Sequence, residues 1–234
     1  MHEYHRPDLE KQDINSNQIK IANDLKRLMG SSGIIIDVGA NCGQFAEEII
    51  ENLPVSKIYC LEPVPAAFDA LSSLSSLHPE IVPVKKAVAR GNGTASFFVT
   101  ESDVGSSLLK PLSGQPSKWL TLSHELTVET IRLDDFIRQK LSTETFASIS
   151  LLKSDAQGCD LDVLLSAGDF LNPNCIQAIL VEINFSTFYA GQQPFHEIFA
   201  LLDKAGYRMA WMYPHRAHDE WLWWADALFI GKDS

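Results

Sequence analysis

The ten residues Ile34 to Gly43, I-I-I-D-V-G-A-N-C-G, decide the fold. The opening apolar run is rich in β-branched side chains and predicts a buried strand. It stops at Asp37 and enters a turn carrying Gly39 and Gly43. Gln44 to Asn52 then opens a helix. Strand, glycine turn and helix in succession build a ligand crevice at the strand ends of a doubly wound α/β sheet. Glycine is needed there because a side chain would block close backbone approach or force a strained φ.

The next acidic residue to end a strand is Glu62, in K-I-Y-C-L-E-P. In nucleotide sites a carboxylate about 20 residues on accepts the ribose hydroxyls. Two features argue against a dinucleotide. The loop G-A-N-C-G lacks the third glycine of G-x-G-x-x-G, and the charge of Asp37 would repel a pyrophosphate. A carboxylate at that place suits a ligand bearing a cation. S-adenosylmethionine carries a sulfonium and an ammonium group. The alternative for Asp37 is a buried structural cap on the turn, since Asp caps helices well.

The chain has 234 residues, which fits one large domain or a domain with a small appendage. Residues 1–30 read as an N-terminal arm and helix, and 31–234 as the main domain. At 45% hydrophobic, the chain can fill a substantial core. A formal net charge of -11 argues against nucleic acid, whose phosphates need clustered Lys and Arg, and against anionic membranes. Met1 to Lys20 is polar, with no signal peptide, and no apolar stretch reaches the ~18–20 residues of a membrane span. Cys42, Cys60, Cys159 and Cys175 lack C-x-x-C spacing, so neither zinc nor a disulfide framework is suggested. A reducing cytoplasm follows as the default compartment. A homo-oligomer stays open.

Further strands are expected at Lys57 to Leu61, Ile81 to Ala89, Ser148 to Lys153 and Ile176 to Ile183. Helices are expected from Glu62-Pro63-Val64-Pro65 to Leu77, then over Leu133 to Leu141, Asp160 to Ala167 and Pro194 to Ala205. Arg90-Gly91-Asn92-Gly93 signals a tight hairpin turn into Thr94 to Thr100. Glu101 to Glu125 is rich in Ser, Gly and Pro and reads as a substrate-side loop or lid. Thr127 to Ile131 is short and extended. Tyr207 to Tyr213 and Trp223 to Ile230 form a closing hairpin. The sum is an α/β fold with a seven-stranded, mainly parallel sheet, a C-terminal antiparallel hairpin and helices on both faces. That is the arrangement of Rossmann-like methyltransferases.

At this point the chain resembles the FkbM family of S-adenosylmethionine-dependent methyltransferases. The matching pieces are D-V-G-A-N-C-G at Asp37 to Gly43, L-E-P-V-P at Leu61 to Pro65 and the Ser106-Ser107 pair. They continue through T-I-R-L-D-D-F at Thr130 to Phe136, L-L-K-S-D-A-Q-G-C-D at Leu151 to Asp160, Glu182, and D-A-L-F-I at Asp226 to Ile230. Asp160 stands where the family usually has Glu, one methylene longer. Residues 1–30 carry no family motif. The resemblance implies O-methylation of a hydroxyl, often on a sugar or natural-product intermediate. Some relatives act on carboxylates.

Methyl transfer from a sulfonium is an in-line displacement, so the protein mostly aligns reactants and excludes water. An alcohol acceptor also needs a general base. The expected cofactor contacts are Asp37, Gly39, Asn41 and Gly43 at the amino-acid end and Glu62 at the ribose. Val64 and Ala87 are expected beside the adenine, with Ser107 and Asp155 completing the set. Asp155, Lys153 and Glu182 are the catalytic candidates, with Asn184 beside them. Lys153 points to the same strand face as Asp155 and is expected to pair with Asp155 or Glu182; a purely structural ion pair is the alternative. A divalent metal on Asp155, Glu182 and Asn184 is conceivable chemistry, but the spacing does not demand one. His215 and His218 flank the last hairpin loop, where solvent exposure competes with a role as base. The Trp211, Trp221, Trp223 and Trp224 group serves either hairpin packing or stacking on a sugar ring. Rival classes are a nicotinamide dehydrogenase and a methyltransferase fold without turnover.

Overall fold

The computed structural model describes residues 20–28, 33–102, 104–113, 118–141, 148–216 and 222–232. Ile34, Ile35 and Ile36 sit in the first strand, β1 (Gly33–Val38), buried along its whole length. Burial on both faces explains why this stretch has no alternation. Ile34 and Ile36 pack with Leu133, Phe136, Leu164 and Leu202. Ile35 packs on the opposite side with Leu25, Ile49 and Leu71. Each such side chain contributes on the order of 1.5–3 kcal/mol of burial.

The remaining strands are β2 (Val55–Leu61), β3 (Ile81–Val84), β4 (Ala87–Val88), β5 (Gly93–Thr100), β6 (Leu122–Ile131), β7 (Ile149–Ser154), β8 (Ile176–Asn184), β9 (Tyr207–Arg216) and β10 (Leu222–Gly231). The helices are α1 (20–28), α2 (Gln44–Asn52), α3 (Pro65–Ser75), α4 (Leu133–Leu141), α5 (Asp160–Ser166) and α6 (His196–Lys204). A seven-stranded sheet runs β3-β2-β1-β7-β8-β10-β9. Its first five strands are parallel, and β10 lies antiparallel to β8 and β9. The chain winds outward from β1 to β3, then returns to β7 on the other side of β1. The loops after β1 and β7 therefore diverge, and the crevice between them is where such sheets take ligands.

Two strand expectations need correction. Ile81 to Ala89 is not one strand. It breaks after Val84, and Ala87 and Val88 join a separate three-stranded sheet of order β4-β6-β5. The Arg90 to Gly93 turn does not close a hairpin with the preceding strand either, because β6 inserts between β4 and β5. Side chains hold the turn to the end of β6. Thr130 Oγ1 donates to the Gly91 carbonyl at 2.9 Å, and the Arg132 amide donates to Asn92 Oδ1 at 2.8 Å. β6 itself reaches back to Leu122, well before Thr127. Its first half is exposed and carries no apolar alternation to reveal it.

Helix α1 is part of the core. Ile21, Ala22 and Leu25 are 4%, 2% and 0% exposed, and the Tyr213 hydroxyl donates to Asp24 at 2.7 Å. Residues 1–19, which carry the arm expected ahead of this helix, lie outside the described residues. So do His218, Asp219, Glu220 and Trp221 of the final hairpin loop.

Candidate active site

Asp37 and Lys153 face each other in register across β1 and β7. Their side chains meet, with Lys153 Nζ donating to Asp37 Oδ1 at 3.1 Å. Asp155 Oδ2 lies 3.6 Å from the same nitrogen. Lys153 thus pairs with Asp37 and Asp155, not with Glu182 as one sequence alternative had it. Burial opposes the Lys153 charge, but Asp37, Asp155 and Asp226 outweigh it and hold its pKa above the ordinary lysine value. Burial pushes Asp37 the other way, above the usual carboxylate range, against the pull of Lys153. The 3.1 Å contact between an ammonium and a carboxylate oxygen decides in favour of a charged lysine. Asp37 Oδ2 is buried and has no hydrogen-bond partner among the described residues.

The turn after β1 is held by its neighbours. Gly39 has φ +76, and a Cβ there would lie 2.0 Å from the Asp155 carbonyl oxygen. Its lack of a side chain thus lets the β1 and β7 loops touch. Asn41 is left-handed at φ 49, and its amide donates to Glu62 Oε2 at 2.9 Å. The Val64 amide donates to Glu62 Oε1 at 2.8 Å. Burial pushes the Glu62 carboxyl up to about 7, with the two amides pulling it back down. Each oxygen keeps one lone pair for a ligand.

A cavity of about 660 Å³ opens over these strand ends. That is ample for a nucleoside-sized ligand and part of a second molecule, by the ~300–1,000 Å³ range of small-molecule pockets. On the β2 side its wall is Glu62, Val64, Ala67, Ala87 and Phe97. On the β8 side it is Lys153, Asp155, Glu182, Asn184 and Asp226. The stretch expected as a substrate-side loop contributes Val104, Ser106, Leu108 and Trp119. Trp119 and Trp224 both line the cavity and meet edge-on at 5.6 Å.

Of the sequence candidates, Gly39, Asn41, Glu62, Val64, Ala87, Lys153, Asp155 and Glu182 line this cavity. Three do not. Asp37 is fully buried behind Lys153. Gly43 is buried at the start of α2, where a Cβ would strike Leu74 and Leu71 at 2.7 and 2.9 Å. Ser107 is 1% exposed, and its hydroxyl donates to the Gln157 carbonyl at 2.8 Å. Asp37, Gly43 and Ser107 are therefore supports beneath the wall rather than parts of it. Asp160 also works below the surface, accepting from Ser154 Oγ at 2.6 Å and from the Ala156 amide at 2.9 Å. At that range the shorter acid is long enough.

Among the cavity residues to which the sequence assigned no site role are Gln157, a hydrogen-bond hub, Asp226 and Trp119. Asp226 had a signal, a lone acid inside the apolar strand W-A-D-A-L-F-I. Trp119 lay in a stretch without period. Glu182 accepts from Gln157 Nε2 at 3.2 Å and from Asn184 Nδ2 at 2.9 Å. Burial, then Asp155, Asp160 and Asp226, push its carboxyl well above the usual range. Among the described residues no cluster of His, Cys, Asp and Glu is arranged to hold a metal ion.

The residues present fit a cationic nucleoside. Asp37, Asp155 and Asp226 outnumber the single lysine they surround. The other wall offers an acid for vicinal hydroxyls and apolar side chains for a base. Comparison with known proteins agrees. A family model described as the methyltransferase FkbM domain matches residues 37–209. The 2-O-methyltransferase NoeI of Sinorhizobium fredii is 28% identical over 178 residues, covering 72% of this chain and 70% of the relative. Methyltransferase 1 of Beauveria bassiana is 26% identical over 148 residues, 58% of either chain. The crystal structure of methyltransferase FkbM from Methylobacillus flagellatus superposes with a TM-score of 0.55 at 13% identity. The match covers 86% of this chain but 44% of that one, and it establishes the shared fold. With the family model spanning most of the sequence, this chain belongs to the FkbM family of S-adenosylmethionine-dependent methyltransferases.

Proposed function

We propose that this protein transfers the methyl group of S-adenosylmethionine to a hydroxyl of a small ring-bearing molecule, a sugar or natural-product intermediate. One observation carries the reading: the excess of carboxylates around Lys153 at the β1–β7 switch point. A negative pocket favours a cationic donor and disfavours a diphosphate or an acidic acceptor. The name of the relative NoeI, a 2-O-methyltransferase, supports a hydroxyl acceptor.

The bound donor would supply a methyl group already activated by its sulfonium charge. The protein's own residues then bind, orient and take up a proton. Gly39 and Asn41 present backbone next to the amino-acid tail. Glu62 accepts the ribose hydroxyls with its remaining lone pairs. Val64, Ala87 and Phe97 give the adenine an apolar wall. Asp155 takes the proton that an acceptor hydroxyl must lose, with Glu182 beside it, and Lys153 holds Asp155 in place. Trp119 and Trp224 offer indole surface to the apolar face of a sugar ring.

The test is to incubate the protein with S-adenosylmethionine and a panel of methyl glycosides, aliphatic alcohols and simple carboxylates, following S-adenosylhomocysteine release. Ether formation on a neutral acceptor is expected, and Trp224→Ala should raise its KM about tenfold, the loss of one aromatic contact. Methyl esters as the sole products, or no transfer to any acceptor, would reject the reading.

Glu62 gives a pH signature. Its folded pKa of about 7 lies above the unfolded value near 4.3, so the folded state holds the proton more tightly. Its stabilising effect is present below the unfolded value and is lost as pH rises toward about 7. The ionised form is the better acceptor for hydroxyl donors. Cofactor affinity, measured by calorimetry, should therefore fall as pH drops below about 7, by up to tenfold per unit, as the Glu62 contribution to stability grows. Glu62→Gln should flatten that dependence; an unchanged profile in the variant would remove Glu62 from the cofactor site.

A further inference from the structure

Gln157 has a left-handed backbone, φ 51, without being glycine. Such a conformation persists only where the surroundings over-determine it. Here they do. Asp160 holds the preceding amide of Ala156, and the Ser107 hydroxyl donates to the carbonyl of Gln157 itself. The result aims the side chain into the acid cluster. Gln157 Nε2 donates to Asp155 Oδ1 at 2.8 Å and to Glu182 Oε1 at 3.2 Å. One amide thus bridges two carboxylates that would otherwise repel each other.

The amide is also fixed from behind. The Tyr189 hydroxyl, on a fully buried ring, lies 2.8 Å from Gln157 Oε1 and 3.0 Å from the Gly105 carbonyl. A phenol has one proton, so it serves one of these acceptors at a time. Donation to Oε1 forces the NH₂ end toward Asp155 and Glu182. Donation to Gly105 ties down the loop whose Val104, Ser106 and Leu108 line the cavity. Loop seating and amide orientation thus draw on the same hydroxyl.

We infer that Gln157 is the positioning residue of the acid pair, its amide clamping Asp155 to Glu182 and Tyr189 setting which way that amide faces. The role of Asp155 as proton acceptor rests on the hydroxyl-methylation reading; the clamp does not. Glu182 is the reporter. It feels Asp155 from the loop after β7, Asp160 from α5, Asp226 from β10, Asn184 on its own strand and the Tyr189 phenol.

The experiment uses the full chain with carbon-13-labelled glutamate side-chain carboxyls, the Glu182 resonance being assigned with Glu182→Gln. Gln157→Leu removes both donated bonds. The Glu182 midpoint should then rise by about one pH unit, the worth of a lost hydrogen bond to a charged group. Tyr189→Phe should move it the same way by about half as much, since the amide is loosened but present. Binding of S-adenosylhomocysteine, measured by calorimetry, should persist in the folded variants, because Gly39, Asn41 and Glu62 are untouched. With a methyl glycoside acceptor, kcat should drop about tenfold or more in Gln157→Leu while the acceptor KM holds. An unmoved Glu182 midpoint in folded Gln157→Leu overturns the inference. Should that variant fail to fold, an unmoved midpoint in Tyr189→Phe overturns it equally. A moved midpoint in a protein that methylates no acceptor supports the clamp and rejects only the hydroxyl reading.

Discussion

Replacing Lys153 with methionine is expected to cost about 3–5 kcal/mol of folding stability. The side chain is 11% exposed and its Asp37 partner 0%. Its ammonium also sits 5.3 Å from the Phe45 ring centroid. Methionine fills similar space but leaves Asp37 buried beside Asp155 without a counter-charge. Breaking one partner of a buried pair is far costlier than replacing both, because the surviving charge stays desolvated. The double variant Asp37→Asn, Lys153→Met should therefore recover much of the loss, giving a large coupling energy in the cycle. The sign with pH is fixed as well. Without the lysine, Asp37 is driven further above its unfolded pKa, so folding stability drops as pH rises. Urea denaturation at about pH 6 and about pH 8 should show the larger deficit at the higher pH. A loss below about 1 kcal/mol at both would place the pair at the surface and contradict the geometry.

Gly39→Ala should be comparably severe, and for a reason that no side-chain rearrangement can relieve. The new Cβ would overlap the Asp155 carbonyl oxygen at 2.0 Å, and backbone must move to admit it. The residue also sits at φ +76, where an L side chain costs about 1–2 kcal/mol before any clash. The shift would separate the β1 and β7 loops that together form the cavity. Cofactor affinity should fall by about a hundredfold or more, equal to ~2.7 kcal/mol, with a stability loss of at least about 2 kcal/mol. Two other glycines calibrate the result. At Gly191 the φ is +82 but the nearest atom to a new Cβ is 3.9 Å away, so strain alone applies. At Gly91 nothing lies within 4 Å, so alanine should be nearly neutral. Calorimetry and denaturation should rank the three substitutions Gly39, Gly191, Gly91, and equal effects at Gly39 and Gly191 would rule out the backbone contact.

Much of the fold was legible because burial writes itself into apolar runs. β1, β8 and the helix Leu133–Leu141 were readable to within a residue, since their packing faces are continuous. β4 and the first half of β6 were not. β4 is two residues long, and the exposed first half of β6, Leu122 included, is held by main-chain pairing to β5. Pairing of that kind leaves no periodicity in one strand. The site divides along the same line. Glu62 and Asp155 stand at strand ends, where position in the chain implies position in the crevice. Asp37 shows the limit of that rule: it ends a strand, yet its carboxylate is buried under Lys153. Gln157, Tyr189 and Trp119 come together only through tertiary contacts between segments far apart in sequence. Nothing local distinguishes Gln157 from any other turn residue except its two glycine-like traits, a positive φ and a glycine beside it, and the first is invisible in sequence.

A crystal structure of this protein grown with S-adenosylhomocysteine is the sharpest check on the donor pocket. The homocysteine tail is expected along Gly39 and Asn41 on the Lys153–Asp155 side, the ribose on Glu62, and the adenine against Val64 and Ala87. The sulfur should face the space between Asp155, Glu182 and Trp224. Density for the ligand outside the β1–β7 crevice, or ribose hydroxyls turned away from Glu62, would contradict the assignment of this acidic cavity to a cationic methyl donor.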